Sequence, residues 1–213
     1  MTTEWQTIED DARRTLQTSA EQGLEPFIPT VVFFREERPT VIVELRDHDA
    51  KDRRDKMEAY AEALAVTSLI NPDQVAIIID VMMRTLEEDE GFEDVEVRPI
   101  EDPKSVDALM LLRAEVTSDG IEMNPMAQVY RLKDGGKVVW EEPMDLSEDR
   151  GESSSWMEDM LMTALSEEPL TEIPEELSHL FDDLKEFRRE CLKELTEMGH
   201  HLAVSQPYNE EYL

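Results

Sequence analysis

The sequence predicts an α+β fold: a central, mostly antiparallel sheet of five to six strands with flanking helices, in the order α-β-β-α-β-β-β-β, followed by a helical C-terminal extension. Three observations carry this. Short β-branched and aromatic runs at 30–34, 40–45 and 75–83 have the composition of strands and not the period of a surface helix. Apolar residues at spacings of three and four mark helices on either side of those runs. Asp134, Gly135 and Gly136, set between two apolar stretches, give a hairpin turn, because glycine supplies the positive φ that tight turns need. Two units follow: a sheet domain over 1–148 and a helical extension over 149–213 that packs on the sheet or on a partner.

Trp5, Ile8, Ala12, Leu16 and Ala20 recur at helical spacing over 5–22. Asp10 and Asp11 lie near the start, where the helix dipole favours acid, and Gly23 ends the run. Pro26 and Pro29 impose an extended entry to the first strand, 30–34. A polar turn at 35–39 joins it to the second, 40–45, and so short a connector pairs the two antiparallel. After the charged stretch 47–55, in which Asp49 can cap a helix, Met57, Tyr60, Ala61, Leu64, Ala65 and Ser68 recur helically until Asn71, Pro72 and Asp73 stop the run. Residues 75–83 are almost continuously apolar, the pattern of a central strand covered on both faces, and Asp80 interrupts it. The acid-rich stretch 86–103, punctuated by Gly91, Pro99 and Pro103, reads as a long loop. Strands at 107–116, 126–132 and 137–140 complete the sheet. Beyond Pro143 the pattern turns helical. Trp156, Met157, Met160, Leu161, Ala164 and Leu165 line one face of a helix that Ser153, Ser154 or Ser155 can cap. A longer helix is expected from Pro174 to Gly199, with an apolar stripe through Leu177, Leu180, Phe181, Leu184, Phe187, Cys191, Leu192, Leu195 and Met198.

The chain of 213 residues carries 52 acidic against 21 basic side chains, a formal net charge of −31. Such a surface repels nucleic-acid phosphates and anionic lipid headgroups, so neither direct nucleic-acid binding nor membrane binding is expected. Solvation is the simplest use of the acid; imitation of DNA phosphates is the competing one. Cys191, the one cysteine, leaves no intramolecular disulfide and fits a reducing cytoplasm. The first residues lack the basic region and apolar run of a signal peptide, and no apolar stretch approaches the about 20 residues that span a bilayer. A cytoplasmic location is expected.

In outline the element order resembles a profilin- or roadblock-type sheet. A sharper resemblance runs through 60–145. It is carried by the apolar run ending in Met82, Met83 and Arg84, by Arg98 and Pro99, by the strand 107–112, and by the hairpin from Tyr130 through Gly135, Gly136, Lys137 and Trp140 to Met144. These segments resemble a family of uncharacterised proteins from phages and bacteria. Its members show an apolar strand closing on an aromatic, a methionine and an arginine, then an Arg-Pro loop and a Gly-Lys-Ile-Val-Trp hairpin. Met82 stands where an aromatic is usual, Asp80 stands near the place of a glutamate, and the tail from 151 is an addition. The resemblance implies a lineage and a fold and transfers no site.

No glycine-rich phosphate loop, nucleophile elbow or His-Glu-x-x-His motif is present, and no cofactor is expected. Asp47, His48 and Asp49 set an imidazole between two carboxylates just after a strand. That group can bind a divalent metal or orient a general base, with His48 as the catalytic candidate, although so acidic a chain produces such neighbours by composition alone. Asp80, the other catalytic candidate, must be paired, protonated or open to a cleft, and a structural pair with Glu115, Arg113 or Arg131 across the sheet is expected. His200 and His201 follow the expected helix end at Gly199, where the dipole favours cationic histidine; this reading is preferred to a zinc site. Cys191 reads as a packed thiol. The C-terminal stripe supplies the protein-contact candidates Leu177, Phe181, Leu184, Leu195 and Met198, with packing on the chain's own sheet as the competing use.

The expectation is a non-enzymatic acidic binding or accessory protein, phage-encoded, that meets a protein partner or a second copy through its C-terminal helix. The alternatives are a DNA-mimic inhibitor of a nucleic-acid-binding protein and a metal-dependent enzyme with an acidic cleft.

Overall fold

The computed structural model describes residues 4–22, 27–46, 53–83, 105–133, 137–147 and 156–206. In chain order the elements are α1 (Glu4–Gln22), β1 (Thr30–Arg35), β2 (Arg38–Glu44), α2 (Arg53–Leu64), α3 (Thr67–Ile70), β3 (Gln74–Met83), β4 (Val106–Thr117), β5 (Gly120–Leu132), β6 (Val138–Trp140), β7 (Met144–Asp145), α4 (Trp156–Ser166), α5 (Leu184–Glu197) and β8 (His201–Val204). The strands form one eight-stranded sheet in the order β6-β5-β4-β3-β1-β2-β8, with β7 beside β5. Its pairings are antiparallel throughout. The α+β architecture is the one the patterning predicts, and the strands beyond the predicted six are the short β7 and β8.

Side chains of a strand alternate between faces, and the sheet uses both. Val31, Phe33, Val75, Ile77, Leu112 and Ala114 point to one face, where Tyr60, Leu64, Ile70, Met157, Leu161, Leu192 and Leu195 from α2, α3, α4 and α5 cover them. Val32, Phe34, Ala76, Ile78, Leu109 and Leu111 point to the other, where Ala12 and Leu16 of α1 cover them. Trp5 closes that layer with its ring 5.7 Å from Phe34. This double cover explains why the first half of β3 reads as a continuous apolar run. Leu161 is 0% exposed, so a residue of the tail sits at the centre of the sheet's own core. Burial of each such side chain contributes about 1.5–3 kcal/mol. No described helix is long and apolar enough to cross a membrane.

The departures from the sequence reading have local causes. The β1–β2 turn places Glu36 and Glu37 at φ 53° and 62° without glycine, and the Glu36 amide donates to Asp73 Oδ2 at 2.6 Å. β5 starts at Gly120 and not at 126, after a tight turn at Ser118 and Asp119. Pro125 hides this in the sequence, because proline cannot complete a ladder. Here it stands opposite Leu112, and its carbonyl accepts from the Leu146 amide at 3.0 Å.

The helix expected from Pro174 to Gly199 is shortened at its start. Residues 175–180 form turns, and α5 begins after Asp183, which is extended at φ −151° and ψ 170°. Asp183 Oδ1 accepts from the Glu186 amide at 2.9 Å, and Glu186 Oε2 accepts from the Asp182 amide at 2.7 Å. This arrangement, a variant of the capping box in which Glu186 accepts from the residue before the N-cap, starts the helix at Leu184 and not upstream of Asp182 and Asp183. Gly199, at φ +100°, does end it. The expected turn at 134–136, the capping serines 153–155, the helix stop at Gly23 and the loop 86–103 lie outside the described residues.

Candidate functional site

Among the described residues, two clusters of titratable side chains reach into the apolar interior. The first lies on the α1 face, toward the end of β3. Asp80 stands opposite Leu109 in the β3–β4 register, and Asp107 stands opposite Tyr130 in the β4–β5 register. Tyr130 reaches over Leu109 and its hydroxyl donates to Asp80, with oxygen separations of 2.9 and 3.0 Å to Oδ1 and Oδ2. Trp140 packs against Tyr130 at 5.4 Å between ring centres. Burial pushes the Asp80 carboxyl up to about 6; the Tyr130 hydrogen bond opposes that rise and the Asp107 charge adds to it. The same burial, with the Asp80 charge, raises the Tyr130 phenol.

This corrects the expected partners of Asp80. Arg113 pairs with Ala76, well along the strand, and stacks on Trp5 at 5.5 Å, while Arg131 alternates to the opposite face from Tyr130 and pairs with Glu141. Glu115 accepts from Arg113 at 2.9 Å. Asp80 is therefore a paired carboxyl, and its partner is a phenol. A carboxyl titrating near neutrality can take up or release a proton, but Tyr130 engages both of its oxygens, which is the arrangement of a structural pair.

The second cluster ties the C-terminal segment to the opposite layer. Arg46, just after β2, grips Glu62 of α2 through Nε and Nη2, both at 2.8 Å. His200 lies 3.0 Å from Glu62 through Nε2, while its Nδ1 accepts from the Arg46 amide at 3.1 Å. Because an amide can only donate, Nδ1 carries no proton and Nε2–H is the donor to Glu62. Burial alone would raise the Glu62 carboxyl, but the hydrogen bonds from Arg46 and His200, with the charge of Arg46, outweigh it and hold it below its ordinary value. His200, expected as a cationic histidine at the helix end, is 1% exposed and has its ring engaged by Glu62 and the Arg46 amide. The turn at Gly199 directs the chain back toward Arg46, and His201 enters β8 opposite Glu44.

Among the other candidates, Asp47, His48 and Asp49 lie outside the described residues. No group of three or more His, Cys, Asp or Glu side chains among the described residues could hold a metal ion. Cys191 is a free, partly buried thiol, raised by that burial and by the Glu194 and Glu190 charges. Leu195 is core, Leu184 is partly buried, and Phe181 packs edge-on against Phe187 at 5.1 Å. Leu177, Leu180 and Met198 are 37%, 59% and 47% exposed. Tyr60 is buried against Trp156, at 5.5 Å, with no hydrogen-bond partner for its hydroxyl among the described residues. Its phenol is raised by burial.

The sequence reading missed Tyr130, Arg46 and Glu62 as members of polar clusters. No local pattern marks them, since their partners are 16 to 154 residues away. Compared with protein-family models, with curated proteins and with solved structures, the chain matches none.

Proposed function

We propose that the chain is a non-enzymatic acidic binding or accessory protein that meets a protein partner through apolar surface of its C-terminal segment, in a reducing cytoplasm. The supporting observation is the exposure of Leu177 and Leu180 on successive turns before α5. Both polar clusters are spent on internal ties, whereas these leucines stand among Glu175, Glu176, Asp182 and Asp183 without entering the core. An exposed apolar cluster with a polar rim has the anatomy of an interaction surface. The phage association implied by the family resemblance belongs to the same proposal.

The test compares wild type with a Leu177→Ser, Leu180→Ser variant, immobilised and exposed to the proteins of the native host. Specific capture by wild type that the variant loses, at unchanged circular dichroism and melting midpoint, supports the role. Equal capture by both, or a wild type that stays monomeric and retains nothing, refutes it.

A further inference from the structure

We propose that two grooves flanking the C-terminal end of α2 form a docking site for an apolar peptide segment flanked by Lys and Arg; this rests on the protein-binding role proposed above. One groove, of about 450 Å³, runs between α2 and α4, with Met57, Ala61, Leu64, Trp156 and Met160 in its walls. The other, of about 380 Å³, runs between the α2–α3 corner and α5, with Val66, Leu69, Leu170, Phe187, Cys191 and Met198 in its walls. Ala65, itself exposed, lines both, so the two meet at its methyl group.

The chemistry of the rim selects the occupant. Among the described residues, the charged side chains lining the grooves are all carboxylates: Asp159 and Glu167 in the first, Glu62 and Glu194 in the second. Glu62 is engaged by Arg46 and His200, and the other three are exposed. The lining hydroxyls are spent on backbone carbonyls, Ser68 on Ala65 at 3.3 Å and Thr163 on Asp159 at 2.8 Å. Neither is left to orient a small polar ligand, which such sites require. Apolar walls under an acidic rim match a segment that lays an apolar face in the groove and sets its cations on the carboxylates. A second copy of this chain would bring a further −31 charge against the same rim.

Cys191, the chain's one thiol, lines the second groove and serves as the reporter. The probe is a synthetic amphipathic Leu/Lys peptide; the controls are Ser/Lys and Leu/Glu peptides of equal length. Thiol modification by a maleimide follows occupancy of the groove. At a Leu/Lys concentration about ten times its Kd, modification slows about tenfold, and neither control slows it. Ala65→Arg, at an exposed position, plugs the junction and abolishes protection at unchanged melting midpoint, whereas Ala65→Ser keeps it. Leu/Lys binding without protection of Cys191, equal protection by either control, or full protection in Ala65→Arg would each overturn the proposal. Those outcomes remove the groove alone; partner capture that ignores Leu177 and Leu180 removes the broader role.

Discussion

Replacing Asp80 with Asn tests whether the carboxyl at the end of β3 costs the fold stability at neutral pH. Its folded value is raised from the ordinary 3.8 to about 6, with burial as the leading cause. A raised carboxylate favours the protonated folded state. The penalty is fully present above pH 6 and is relieved as pH falls through 6 toward 3.8. At full strength the shift corresponds to about 3 kcal/mol. Asp80 is only partly buried, so solvent screening reduces this to about 1–2 kcal/mol. Asn can still accept from Tyr130, although a neutral acceptor forfeits about 1 kcal/mol of the charge-assisted bond, which partly masks the gain at any single pH. The decisive quantity is the change in the stability difference. Urea unfolding of wild type and Asp80→Asn at pH 7.5 and at pH 4.5, where the penalty is only partly relieved, is expected to show wild type gaining about 0.5–1 kcal/mol on the variant at the lower pH. A difference that does not move with pH, or moves in the variant's favour, refutes burial as the origin of the shift.

Leu161→Ala should cost about 2–5 kcal/mol and lower a single cooperative transition, since Leu161 is 0% exposed against the sheet; separate unfolding of tail and sheet by tryptophan fluorescence and circular dichroism would refute the shared core. Glu62 is held below its ordinary 4.5, so its contribution is present above that value and is lost as pH falls through its folded value. Glu62→Gln should therefore flatten the acid limb of the stability profile, measured by melting midpoint against pH, and an unchanged limb would count against the Arg46 and His200 ties. Tyr60→Phe removes a buried hydroxyl that has no partner among the described residues, and is expected to leave stability unchanged or raise it by about 1 kcal/mol. A loss of that size in a urea titration would show that the hydroxyl is engaged.

What was legible in the sequence is what a window of neighbouring residues encodes. The helical spacing through Ala12 and Leu16 and the β-branched runs of β1, β2 and β3 each bury their apolar residues as the periodicity implies. The expected stripe of the C-terminal helix is real in part: Phe187, Leu192 and Leu195 lie on the buried side of α5. Its upstream half was misread because Leu177, Leu180 and Phe181 continue the spacing across a capping box that periodicity alone does not weigh. Pro125 concealed the first half of β5 for the opposite reason, as a residue that argues against a strand in isolation because it lacks an N–H, although here its carbonyl still accepts from Leu146, just beyond β7. Asp80 was legible as an anomaly, but its partner was not, since register decides which residue faces it. His200 was legible only as a histidine near a helix end, because its burial depends on where the turn at Gly199 sends the chain.

The surplus of acid sets the terms for both proposals. The ion pairs along α1 and α5 are short-range, Arg13 with Glu9 and Asp10, Arg14 with Asp11, Lys193 with Glu190 and Glu197. The exposed ones, Arg14 with Asp11 and Lys193 with Glu190 and Glu197, contribute little each, about 0–1 kcal/mol. With 52 acids against 21 bases, carboxylates outnumber cations more than two to one, and their mutual repulsion works against the compact state. The fold offsets this with burial on both sheet faces and with the Arg46 anchor, which joins β2, α2 and the C-terminal strand at one point. A basic partner seated on the helical layer would relieve the same repulsion from outside, adding electrostatic relief to the burial of groove walls. On the two proposals, the acid and the apolar surface would be parts of one recognition chemistry: the charge would draw and orient a cationic segment, and the groove would supply the apolar contact that charge alone does not make specific.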